Sequence, residues 1–91
     1  MKEHVTTTAT EEFELKYFKT LHQNATEVGE GFYGIYVAKC DNVCILEEAD
    51  SGPISDDAAL VCAIIERLAK NTVTPMTLYE VLDELEMLHQ V

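Results

Sequence analysis

Basic residues are scarce in this chain: six lysines and arginines stand against 17 aspartates and glutamates, for a net charge of −11. The scarcity is uneven. No Lys or Arg occurs from Leu21 to Ala38, and none lies between Lys39 and Arg67. Beyond Lys70 the chain carries Glu80, Asp83, Glu84 and Glu86 and no basic residue. Such a chain is repelled by nucleic acid and anionic lipid and drawn to basic surfaces. No direct contact with nucleic acid is therefore expected. The plain alternative is that acidity serves only to keep a small protein soluble.

Other absences narrow the class further. No apolar run approaches the roughly 18 residues of a membrane span, so no membrane partner is expected. The opening MKEHVTTTATEEF has no apolar segment of signal-peptide type, which points to the cytoplasm. Three cysteines, Cys40, Cys44 and Cys62, fit that compartment, because a secreted domain usually pairs all its thiols. The sequon Asn24-Ala25-Thr26 is then without consequence.

No phosphate-cradling glycine loop is present, and no local motif sets a nucleophile beside a base. The carboxylates around Glu47 to Asp57 lack the glycine-centred spacing of a calcium loop. Cys40-x-x-x-Cys44 has no second close pair, as a structural zinc site would require. The expectation is a non-enzyme with no cofactor and no metal. A metal or redox site on Cys40, Cys44 and Cys62 stands as an alternative.

What is there is a foldable domain. A hydrophobic content of 47% is ordinary for a globule, and a chain this short forms one core. Residues 1–10, with three successive threonines and no periodicity, read as a flexible leader, and 11–91 as a single α+β domain. From Glu11 to Leu21 the apolar residues Phe13, Leu15, Tyr17 and Leu21 alternate with polar ones, with Phe18 the exception, predicting a strand with one wet face. A helix competes, since Phe13, Tyr17 and Leu21 are also four apart, but Leu15 fits it poorly. His22 to Glu30 reads as a loop.

The stretch Gly31 to Leu46, GFYGIYVAKCDNVCIL, is rich in β-branched and aromatic residues and broken by Asp41-Asn42. It predicts a central strand, a hairpin turn and a third strand. Tyr33, Ile35 and Val37 would share one face, with Phe32, Gly34, Tyr36, Ala38 and Cys40 on the other. Gly34 would leave a gap for a neighbouring ring. A two-residue turn would set Cys40 opposite Val43, and a three-residue loop would set it opposite Cys44. Ser51-Gly52-Pro53 reads as a breaker.

Ser55 is the expected N-cap of a helix from Asp56 to Lys70, with a stripe of Leu60, Val61, Ile64, Ile65 and Leu68. A second helix is expected to start at Thr74-Pro75, with Val73 stapled on Leu78 and a stripe of Leu78, Val81, Leu82, Leu85 and Leu88. The short link makes the pair an αα-hairpin. Its second helix is too acidic to read DNA as a helix-turn-helix would. The fold class is thus α+β: a three-stranded antiparallel meander covered on one face by a C-terminal αα-hairpin.

Tyr33-Gly34-Ile35, the acidic link to Ile54-Ser55, and Val73-Thr74-Pro75-Met76-Thr77-Leu78 together resemble a small domain family of unknown function. That family is found in clostridial and other Gram-positive bacteria and their phages. Its motifs are a Tyr-Gly-Ile strand and a Val-Ser-Pro-x-His-Leu helix start, from which this chain departs at Thr77. The resemblance spans about residues 13–88 and implies a ββ(β)αα domain, with no activity attached.

Two functional expectations follow. In the first, Glu47, Glu48, Asp50, Asp56, Asp57, Glu80, Asp83, Glu84 and Glu86 form an acidic face that binds a protein with a basic surface. It would act as an inhibitor of the phage or anti-CRISPR kind, mimicking nucleic acid in the groove of a nuclease or defence enzyme. In the second, the chain is a regulatory or structural domain that forms a homodimer through Phe18, Phe32 and Tyr36 on the uncovered sheet face.

Overall fold

The computed structural model describes residues 2–23 and 31–85. Four strands run β1 (Lys2–Ala9), β2 (Glu14–Gln23), β3 (Gly31–Cys40) and β4 (Ile45–Ser55). They are followed by α1 (Ala58–Lys70), a 3₁₀ turn (Pro75–Thr77) and α2 (Leu78–Glu84). The sheet is an antiparallel meander in the order β1-β2-β3-β4, so β2 and β3 are central. The class is α+β as expected, with four strands in place of three.

The additional strand is the segment read as a leader. Lys2 to Ala9 pairs along β2, from Lys2 opposite Thr20 to Ala9 opposite Glu14, with a bulge between His4 and Thr6. Threonine and valine suit a pleated strand, and Val5 packs against the core. Thr8 Oγ1 donates to the Ala69 carbonyl of α1 at 2.9 Å, which ties the strand to the helix layer. The turn into β2 is held by Thr10, whose hydroxyl accepts the Phe13 N–H at 3.1 Å, so β2 starts at Glu14.

One core fills the space between the sheet and the helices. Leu15 and Tyr17 of β2 and Ile35 and Val37 of β3 meet Val61, Ile64, Ile65 and Leu68 of α1, Val73, and Leu78 and Leu82 of α2. Val73 and Leu78 share this core, consistent with the staple. Leu60 is instead 39% exposed. The Tyr17 hydroxyl donates to the Val73 carbonyl at 2.8 Å and so meets the need of a buried O–H. Asp57, not Ser55, caps α1: its carboxylate accepts the N–H groups of Ala59 and Leu60 at 3.0 and 3.2 Å. Ser55 supports it by accepting the Asp57 N–H. At the other end of α1, Thr72 adopts φ 53°, an uncommon conformation for a β-branched side chain.

The β3–β4 hairpin follows neither expected turn. Cys40 pairs with Ile45 across a four-residue loop, Asp41 to Cys44. Asp41 organises it by accepting the N–H groups of Val43 and Cys44 at 2.7 and 2.8 Å. Those donors favour the carboxylate and hold the Asp41 pKa below its usual value.

Ser51-Gly52-Pro53 does not end β4 but bulges it. Proline is tolerated at a bulge on an edge strand such as β4, and Gly52 supplies φ 73°. No ring fills the space beside Gly34, which is taken by the backbone of Gly52 and the Thr20 hydroxyl.

Candidate functional site: the open sheet face and the acidic edge

Residues directly opposite on paired strands share a face, so the register assembles the uncovered side of the sheet row by row. One row runs Thr7, Lys16, Ala38, Glu48 from β1 to β4. The next runs His4, Phe18, Tyr36, Asp50. A third runs Lys2, Thr20, Gly34, Pro53. Glu14, Cys40 and Ile45 lie towards the hairpin end, and His22 opposite Phe32 towards the other.

Tyr36 lies at the centre. It packs with Ala38, Cys40 and Phe18 in a small cluster separate from the main core. The ring of Phe18 is 5.6 Å from that of Tyr36, and His4 meets Phe18 edge-on at 5.3 Å. The Lys2 ammonium lies 3.9 Å above the Tyr36 ring, within cation–π range. The Tyr36 hydroxyl donates to the Glu48 carboxylate. Of the residues expected to self-associate, Phe32 is 47% exposed, Phe18 half-buried, and Tyr36 only 8% exposed. Lys2, Phe18 and Glu48 therefore already hold Tyr36 within the monomer.

Burial, then the hydrogen bond and negative charge of Glu48, push the Tyr36 pKa up from 10.0 to about 12. Burial does the same for Tyr17, also to about 12. In the unfolded chain a tyrosine ionises near pH 10, and in the fold it holds its proton longer. Stability from these groups is full below pH 10 and is lost as pH rises towards 12. The expected slope is about 1.4 kcal/mol per pH unit for each tyrosine. Urea unfolding followed across that window should show the decline, and Tyr36→Phe should make it shallower. An equal slope in the variant would contradict the assignment.

The acidic candidates divide among three places. Glu48 and Asp50 lie on the open face of β4. Glu47 points to the helix side, 4.0 Å from Lys39, and the Asp57 carboxylate is used in capping α1. Asp56 before α1 is exposed, as are Glu80, Asp83 and Glu84 on α2. The Tyr79 hydroxyl, donating to the Asp50 carbonyl, holds α2 beside β4. Glu84 lies on the α1 side of α2, in a groove it lines with Arg67. Glu86 lies outside the described residues.

The cysteines do not converge. Cys40 is buried on the open face, Cys44 is exposed in the hairpin loop, and Cys62 lies on α1 across the sheet. All three are free thiols. Among the described residues no group of three or more His, Cys, Asp or Glu side chains is placed to hold a metal. A groove of about 370 Å³ runs between the end of α1 and α2, lined by Arg67, Asn71, Val81 and Glu84 among others. No helix among the described residues is long and apolar enough to cross a membrane.

These features define a two-layer α+β domain with helices on one sheet face and, among the described residues, no element over the other. The chain belongs to the DUF6514 family, a family of unknown function, whose model matches residues 1–87. The match takes in β1, which places that strand within the family's domain. No curated protein and no solved structure matches the chain.

Proposed function

We propose that this protein is a non-catalytic, acidic protein-binding module that occludes a basic surface on its partner. The observation that supports this best is the set of exposed carboxylates on α2 and just beyond β4. Asp56 is exposed just beyond β4, Glu80 and Glu84 are exposed on α2, α2 carries no basic residue, and Lys39 is already engaged by Glu47. Carboxylates presented on a folded scaffold can imitate the charge of a phosphate backbone, so the partner class they suit is a nuclease or other enzyme with a nucleic-acid groove. That reading agrees with a cytoplasmic role in a Gram-positive bacterium or its phage.

The tagged protein should retain nucleic-acid-binding proteins from such a host, and added duplex DNA or RNA should release them. Replacing Asp56, Glu80 and Glu84 by lysine should abolish the capture. Retention that neither competitor nor substitution disturbs would remove the proposal.

A further inference from the structure

We propose that the open sheet face is a homodimer interface, with a two-fold axis parallel to the strands that lays β1 of one copy over β4 of the other. The inference does not rest on the acidic-module reading, because Asp56, Glu80 and Glu84 lie outside this face.

Charge order across the face favours this arrangement. Across the face the cations Lys2 and Lys16, with His4 in the row between them, belong to β1 and β2, and the acids Glu48 and Asp50 to β4. Glu14, at the hairpin end of β2, is the one acid on the basic side. Between the two sides no charged side chain stands in the Phe18–Tyr36 row, where half-buried Phe18 packs on Tyr36, Ala38 and Cys40, themselves already buried in the monomer. A two-fold axis along the strands keeps each row in place and reverses its order. His4 then faces Asp50 of the second copy, Phe18 faces its Tyr36, and Lys16 reaches the side of its Glu48. The other in-plane axis, perpendicular to the strands, stacks β4 on β4 and sets these acids against each other. Like charges so placed are strongly disfavoured, so the charge order selects the first axis.

Size and composition agree. Four strands about 4.8 Å apart and about 33 Å long offer roughly 600 Å² per copy, near the lower bound of specific interfaces. Phe32, 47% exposed, and Ile45, 54% exposed, lie at the two ends of the face, where the second copy would cover them. The edges offer less. β4 carries bulges and Pro53 and has α2 beside it, features that discourage strand addition.

Sedimentation equilibrium across a concentration series tests the proposal. The unmodified protein should reach the dimer mass. Lys2→Glu with Lys16→Glu makes the face acidic throughout, and Glu48→Lys with Asp50→Lys makes it basic. Each pair alone should remain monomeric, and an equimolar mixture of the two should regain the dimer mass. Phe32→Ser, which removes an exposed apolar side chain outside both core clusters and adds no charge, should also weaken the dimer; it decides the matter if a charge variant fails to fold. A protein monomeric at every concentration, or a dimer that the folded variants leave intact, would overturn the proposal. So would two folded charge variants that stay monomeric when mixed.

Discussion

Replacing Gly34 by alanine should be among the most damaging single substitutions in this chain. A Cβ at that position would lie 2.1 Å from the Gly52 carbonyl oxygen and 2.9 Å from Thr20 Oγ1. The hydroxyl could rotate away, but the carbonyl is backbone. Its neighbour Ser51 is fixed as well, with Oγ accepting the Ile35 N–H at 2.9 Å and donating to the Gly52 carbonyl at 2.7 Å. Relief of the clash therefore requires β4 to move from β3 where its bulge is anchored. Overpacking against backbone that cannot yield costs about 3 kcal/mol or more. For a domain of this size that lowers the melting temperature by on the order of 15 °C. Thermal unfolding followed by circular dichroism would show it, and an unchanged midpoint would mean that the two strands are not in this register.

Removing residues 2–9 should destabilise the fold by a comparable amount. The deletion exposes the outer edge of β2, strips Val5 from the core and removes the Thr8 bond to α1. The half-buried valine and the lost hydrogen bond together account for about 2–4 kcal/mol. That is a large share of the roughly 5–10 kcal/mol expected for so small a domain. It also uncovers Tyr36, whose ring lies beneath the Lys2 ammonium. A flexible leader could be removed without effect, so the melting temperature of the shortened protein discriminates directly between leader and strand.

Much of the framework was legible because core-facing residues leave periodic traces. Leu15 and Tyr17 alternate into the core, and β3 carries apolar residues on both faces as a central strand should. The α1 stripe from Val61 to Leu68 recurs at helical spacing. The failures have equally local causes. β1 is an edge strand in which Val5 alone among its apolar residues reaches the core, so no alternation marks it, and the β-branched run from Val5 to Thr8 was the remaining signal. Ser51-Gly52-Pro53 has the composition of a breaker and of an edge-strand bulge alike. Position in the sheet decides between them. Ser55 and Asp57 are both good caps two residues apart, and nothing local chooses.

The candidate site was only half legible. The acids could be counted in the sequence, but the register was needed to separate Glu47, turned towards Lys39, from Glu48 and Asp50 on the open face. The charge order across that face has no linear trace at all, since Lys2, Lys16 and Glu48 meet through pairing in space.

The central functional claim is that the position of the acids matters and not their number alone. The most direct measurement compares two variants of equal net charge for partner retention. One carries lysine at Asp56 beyond β4 and at Glu80 and Glu84 on α2, and the other at the exposed Glu11, Glu12 and Glu66. The account predicts that the first loses the partner and the second keeps it. Equal loss in both would contradict it and leave the acidity as a matter of net charge.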